Sequence, residues 1–329
     1  MHIPDGFLDA RTAATAGVLS ATGVGVALRR VRRELPPRRI PLLGLSAAFL
    51  FAAQMVNFPV AAGTSGHLLG GVLVAALLGP SAAVVVVTTV LIVQCFLFGD
   101  GGVLALGANI FNMGILAPVS GYAIYKLLCA VLPGPRGRVT ALAFASWSGA
   151  VLASICCAGQ LAWSDTVAWS AAFPAMAGTH MLIGIGEGLI SALVFLAIQR
   201  ARPDLILEAG TEAKSGHRAE IVRYGLLATL GIAVFVAPFA CSWPDGLESV
   251  AARLGFEHPI AKPLLPVPAP DYHAPGISWT VGATAVAGAA GSLVVFALAL
   301  VLGRWLVPAR APIPVVSGRT ADPPTVDRR

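Results

Sequence analysis

In this chain of 329 residues, 57% are hydrophobic and only 12% are charged, about half the ~25% of an ordinary soluble domain, and the mean hydropathy is +0.80. That balance excludes a soluble globular fold, because apolar runs near the ~20 residues that a helix needs to cross a bilayer recur along most of the sequence. The net charge of +6 does not point to nucleic acid, since the basic residues sit in short clusters between apolar segments, as topology signals do.

The chain opens on Met1-His2-Ile3-Pro4-Asp5-Gly6, which lacks the basic stretch of a cleavable signal, so these residues are expected to stay in the mature protein. Beyond them the apolar runs predict an all-α polytopic membrane protein with about nine spans. They lie near residues 9–29, 40–57, 67–79, 81–98, 105–129, 139–160, 175–199, 221–241 and 278–303. The third is too short to cross alone, and Gly79-Pro80 ends it. Cys95, Cys129, Cys156, Cys157 and Cys241 form no CxxC pair and read as small packing residues.

The cluster Arg29, Arg30, Arg32, Arg33, Arg38 and Arg39 follows the first span, which sets that loop in the cytoplasm and the N-terminus outside. Alternating from there puts Lys126, Arg136, Arg138, Arg200, Arg202, Lys214, Arg218, Arg223 and the arginine-rich tail inside. Only Arg11, Arg253 and Lys262 then lie outside, and the C-terminus is cytoplasmic. Residues 201–220 read as a polar cytoplasmic linker between a seven-span module, 1–200, and a two-span module, 221–329, with a proline-rich outer loop near 242–277.

Met1-His2 is the most informative pair. Histidine at position 2 is too large for the initiator methionine normally to be removed, so a free α-amine is expected one residue from an imidazole. The Met1 amine, the His2 backbone nitrogen and His2 Nδ1 can chelate one cation in fused five- and six-membered rings, an arrangement that suits Ni²⁺ but not Mg²⁺ or Ca²⁺. The bland alternative is that His2 is only an early surface residue. Against it, Pro4-Asp5-Gly6 is turn chemistry that bends the terminus back, and residues 57–66 on the same face lead to His67 among glycines, a natural fourth nitrogen.

At this point four stretches resemble one family: residues 1–8 (MHIPDGFL), 59–71 (PVAAGTSGHLLGG), 99–114 (GDGGVLALGANIFNMG) and 180–187 (HMLIGIGE). They look like the CbiM/NikM substrate-capture subunits of cobalt and nickel energy-coupling-factor transporters. Residues 242–248 (SWPDGLE) are similar to the PDGLE segment of the small CbiN/NikN subunit, so the chain resembles a fusion of the two. The resemblance implies ligation by Met1, His2 and His67, with Ni²⁺ or Co²⁺ as transported substrate and no tightly held organic cofactor. It also implies a membrane coupling subunit and cytoplasmic ATPases as partners, in the inner membrane. The sequence has no GxxxxGK[ST] phosphate loop, and the chain is not expected to be an enzyme by itself.

Other polar residues at membrane depth are candidates for support of the site. Asn109 and Asn112, three apart, either line the pocket or join helices; Thr64 and Ser65 are placed to orient the His67 imidazole. His180 and Glu187 share a helix face and are a candidate pair, with direct metal contact as the sharper idea. Asp5 and Asp100 either attract the cation or are turn residues, and the Gly17/Ala21/Gly25 stripe packs internally or against a partner. Asp245, Glu248, Glu257, His258, Asp271 and His273 read first as a solvated acidic loop, with metal passage or gating as the alternative. Two other classes fit the sequence less well. A vitamin-capture subunit needs an aromatic-lined pocket, but aromatics are only 7% and scattered; a membrane metalloenzyme needs an HExxH motif or several histidines at depth.

Overall fold

Asp9 starts helix α1 (Ala10–Glu34) by accepting from the Thr12 N–H at 2.9 Å, and Arg32 and Arg33 in its last turn suit the negative end of the helix dipole. The computed structural model describes residues 1–206, 218–257 and 265–308. Helix α2 (Ile40–Gln54) is apolar on every side, as a helix surrounded by others must be, and Leu43, Ala47, Leu50 and Phe51 are fully buried. After it the chain makes an antiparallel hairpin, β1 (Phe58–Ala61) and β2 (Thr64–Gly66), with Phe58 opposite Gly66 and Pro59 opposite Ser65. Ala62 and Gly63 turn it with positive φ.

Helix α3 (Gly71–Leu78) rises only about 12 Å and stays inside the protein, where its short length leaves no backbone facing lipid. The chain reverses at Gly79-Pro80 into α4 (Pro80–Val93), which continues through a wide turn at Gln94–Phe98. Helix α5 (Leu106–Asn109) widens in the same way over Ile110–Leu116 before becoming α6 (Ala117–Val131). Such π turns lie here beside the two ends of the candidate site. Helices α7 (Gly134–Trp163) and α8 (Trp169–Ala201) form a long hairpin, and α9 (Arg218–Phe235), α10 (Gly246–Leu254) and α11 (Thr280–Leu306) complete the described chain.

The chain is thus an all-α polytopic membrane protein. By length and composition, six helical rods among the described residues can cross a bilayer: Pro80–Phe98, Leu106–Val131, Gly134–Trp163, Trp169–Ala201, Ala219–Phe239 and Thr280–Leu306. Each of the nine apolar runs of the sequence meets a helix, but α2 with 15 residues and α3 with 8 are short for a crossing, and α1 is long but more polar.

The main core gathers α2, α3, α4 and α11, with Phe51 fully buried in it. A second cluster near the N-terminus joins Ile3, Phe7, Leu161, Met176, Leu247 and Val250, so the start of the chain is wedged between α7, α8 and α10. No disulfide joins the five cysteines, and Cys95 and Cys157 are buried packing residues.

Candidate metal centre

Three stretches far apart in sequence converge at one end of the bundle. The Met1 amine lies 3.3 Å from His67 Nε2, and the His2 and His67 rings are 5.5 Å apart between centroids. Met1 is 4% exposed and His67 8%, so the cluster is shielded from solvent. A small cavity beside it is lined by Met1, Gly66, His67, His180, Glu187 and Gly246.

Each histidine is placed by the backbone just after it. Following His2, Ile3 is gripped at both its main-chain groups by Asn109: the Ile3 N–H donates to Oδ1 at 2.8 Å, and Nδ2 donates to the Ile3 carbonyl at 3.1 Å. The same carbonyl accepts from the Gly102 N–H at 2.9 Å, while Asp5 accepts from the Val103 and Leu104 N–H groups. Asp5 is therefore a backbone cap that anchors the terminal turn.

Following His67, Glu187 accepts from the Leu69 N–H at 2.5 Å and the Gly70 N–H at 2.9 Å, and it is 1% exposed. Gly70 has φ +68°, a conformation that favours glycine, and a Cβ there would come within 2.1 Å of Leu50 Cδ1 and displace that side chain. Gln54 holds the Leu69 carbonyl at 3.0 Å and is itself held by Gln94 at 2.9 Å.

The electrostatics favour neutral imidazoles. Burial holds the pKa of both His2 and His67 below the ordinary histidine value, and the neighbouring ammonium pushes the same way. Neutral imidazole is the ligating form. His2 Nδ1 also lies 3.4 Å from Asp100 Oδ1, and Asp100 Oδ2 accepts from the Tyr272 hydroxyl at 2.6 Å. The amine and the two imidazoles are nitrogen donors of the kind a borderline cation takes, although among the described residues no group of three or more His, Cys, Asp or Glu side chains is placed to hold a metal ion.

Several expected roles turn out differently. Thr64 and Ser65 hydrogen-bond away from the His67 ring. Thr64 bonds Ser249 at 2.7 Å and accepts from Arg253, while Ser65 donates to the Trp243 carbonyl at 2.7 Å. The polar face of the hairpin is turned to the segment around α10, so these residues seat that segment. Asn109 and Asn112 are both buried but part company: Asn112 pairs with Gln160 of α7 at 2.7 and 3.0 Å, and only Asn109 reaches the terminus. His180 Nδ1 donates to the Met176 carbonyl at 2.9 Å, and Glu187 takes backbone donors rather than His180. Gly17 packs closely on Gly107, so the small-residue stripe of α1 is used at least there for internal contact.

The acidic loop is the largest difference. The sequence makes Asp245 part of a solvated acidic loop, yet it ion-pairs directly with the Met1 amine and its side chain is only 15% exposed. Burial raises its carboxyl and the ammonium lowers it further, so it is held below the usual carboxylate range. His273 and Asp271 remain exposed, and His258 lies outside the described residues. The signal for Asp245 was present in the sequence: Asp245 followed three residues later by Glu248 is a capping box.

Comparison with known proteins places this geometry in context. Residues 2–205 match the model of the cobalt uptake substrate-specific transmembrane region, CbiM, and residues 219–307 match the PDGLE domain. The putative fused nickel transport protein NikMN of Archaeoglobus fulgidus is 37% identical over 309 residues, covering 93% of this chain and 99% of that protein. The cobalt transport protein CbiM of Geobacter sulfurreducens is 29% identical, covering 78% of each. A crystal structure of a truncated transition metal transporter superposes with a TM-score of 0.56 at 34% identity, covering 61% of this chain and 99% of that one.

Proposed function

The chain belongs to the CbiM family of cobalt uptake substrate-specific transmembrane regions, and on that premise we propose that it captures Ni²⁺ or Co²⁺ at the outer membrane face for import. The observation that carries the reading is the meeting of the Met1 amine, His2 and His67 in one buried cluster, from positions 66 residues apart. The captured cation takes the Met1 amine, the His2 amide and imidazole, and His67. Amide ligation selects against Mg²⁺ and Ca²⁺, which prefer oxygen donors. The buried surroundings keep competing water off the metal.

Residues 1–200 act as the capture module and the remainder, after a cytoplasmic linker, as a second module whose outer loop covers the site. Energy comes from partners: a membrane coupling subunit and cytoplasmic ATPases that reorient the chain for inward release. The N-terminus faces outward and the C-terminus inward, in accord with the arginine clusters. The names of the relatives, nickel and cobalt transport proteins, support the cargo class.

Uptake tests this directly. Cells that make the chain with its partners are expected to accumulate Ni²⁺ or Co²⁺, and His67→Ala is expected to bring accumulation to background at unchanged protein level. Undiminished uptake by His67→Ala contradicts the reading.

A further inference from the structure

Asp245, the N-cap of α10, is held on both sides by hydrogen bonds. Its Oδ1 accepts from the Leu247 N–H at 2.7 Å and the Glu248 N–H at 2.9 Å, and its own N–H donates to Glu248 at 2.9 Å. On the preceding side the Pro244 carbonyl accepts from the Ser65 N–H at 2.8 Å, which ties the segment to the hairpin that leads into His67. Gly246 lies so close to His180 and Ile183 that a Cβ would come within 2.7 Å of either, and this close approach lets Asp245 reach inward. With Oδ1 committed to the cap, Oδ2 is aimed at the Met1 amine.

We propose that Asp245, contributed by the second module, is a further ligand of the captured cation, adding one carboxylate oxygen to the nitrogen cage. The inference rests on the N-terminal cage described above. Oδ2 contacts one of the ligand nitrogens, which brings a carboxylate oxygen to the edge of the cage.

The charge balance points the same way. In the metal-free site the Met1 ammonium and the Asp245 carboxylate cancel. When a divalent cation binds, the ammonium loses one proton and the His2 amide another, both to solvent, and the amine and amide nitrogens bond the metal. Two positive charges from the metal are then met by one negative amide and one negative carboxylate, so the site is neutral before and after. Without Asp245 the buried cage would carry an uncompensated positive charge, which a low-dielectric setting disfavours. Asp100, on the His2 side, is 30% exposed and partly screened by solvent, so it compensates less.

The test uses the purified full chain with a native N-terminus, titrated with Ni²⁺ and examined by X-ray absorption, beside Asp245→Asn and His2→Ala. Asp245→Asn keeps the size and the capping oxygen. Wild type is expected to bind one Ni²⁺ in a five-coordinate nitrogen and oxygen shell. Asp245→Asn is expected to bind about tenfold or more weakly and to show the edge feature of four-coordinate planar Ni²⁺. A planar four-nitrogen shell in wild type overturns the proposal without recourse to any variant, as does an unchanged affinity and spectrum in Asp245→Asn. If His2→Ala binds as wild type does, the nitrogen cage itself fails, and the proposal falls with it by a distinguishable route.

Discussion

Asn109 shows how much one buried amide can decide. Its side chain reproduces the two hydrogen bonds that a neighbouring strand would offer Ile3, and so sets where His2 can point. Asn109→Ala leaves the buried Ile3 N–H without a partner, a loss of about 1–3 kcal/mol where no water replaces it, while the Ile3 carbonyl keeps the Gly102 N–H. Metal affinity is therefore expected to fall at least tenfold with little change in α-helix content, measured by titration and circular dichroism. Asn112→Ala, which breaks only the Gln160 pair, is expected to leave affinity nearly intact. The sequence placed both asparagines at depth but could not separate them, because the backbone widens just after Asn109 and helical spacing stops reporting a shared face. Likewise Thr64 and Ser65 were legible as polar neighbours of His67 in sequence. Their actual partners, Ser249 and Trp243, lie about 180 residues away, and no local pattern reveals them.

At the scale of elements, the apolar runs located the long helices because the bilayer demands them. They missed α10 and the hairpin, whose causes are local: a capping box in nine residues, and two positive-φ turn positions in a loop rich in small residues. Glu187 illustrates a further limit. Its partners are backbone N–H groups of Leu69 and Gly70, which carry no residue-type signal, so the sequence suggested His180 instead. This carboxylate pins the start of α3 and with it His67. Glu187→Ala is expected to weaken Ni²⁺ binding about tenfold or more, as loss of an outer-shell partner does, whereas His180→Ala, whose imidazole lines the cavity but bonds the Met176 carbonyl of its own helix and not the backbone beside His67, is expected to cost less. Equal losses in the two variants would remove the positioning role assigned to Glu187.

For the whole molecule, the end of the bundle that holds the site is sealed by three segments that share no local sequence logic: the terminus, the hairpin and the loop around α10. Its pH response follows from the buried imidazoles. Their folded pKa values lie below the unfolded value near ~6.5, so the unfolded chain binds more protons as pH falls, and stability is full above that value and declines below it. The melting temperature of the metal-free chain is expected to rise between about pH 5 and pH 7, and to rise less in the His2→Ala/His67→Ala double variant. The measurement that bears most directly on the central claim is Ni²⁺ and Co²⁺ affinity of the purified chain with its native Met1 amine, beside the same chain carrying one additional residue ahead of Met1. The account predicts tight binding of one cation by the native chain and its loss in the extended one, because the added residue converts the ligating amine into an amide and has no room in the buried pocket. Equal affinity in the two chains would contradict a capture site built on the N-terminus.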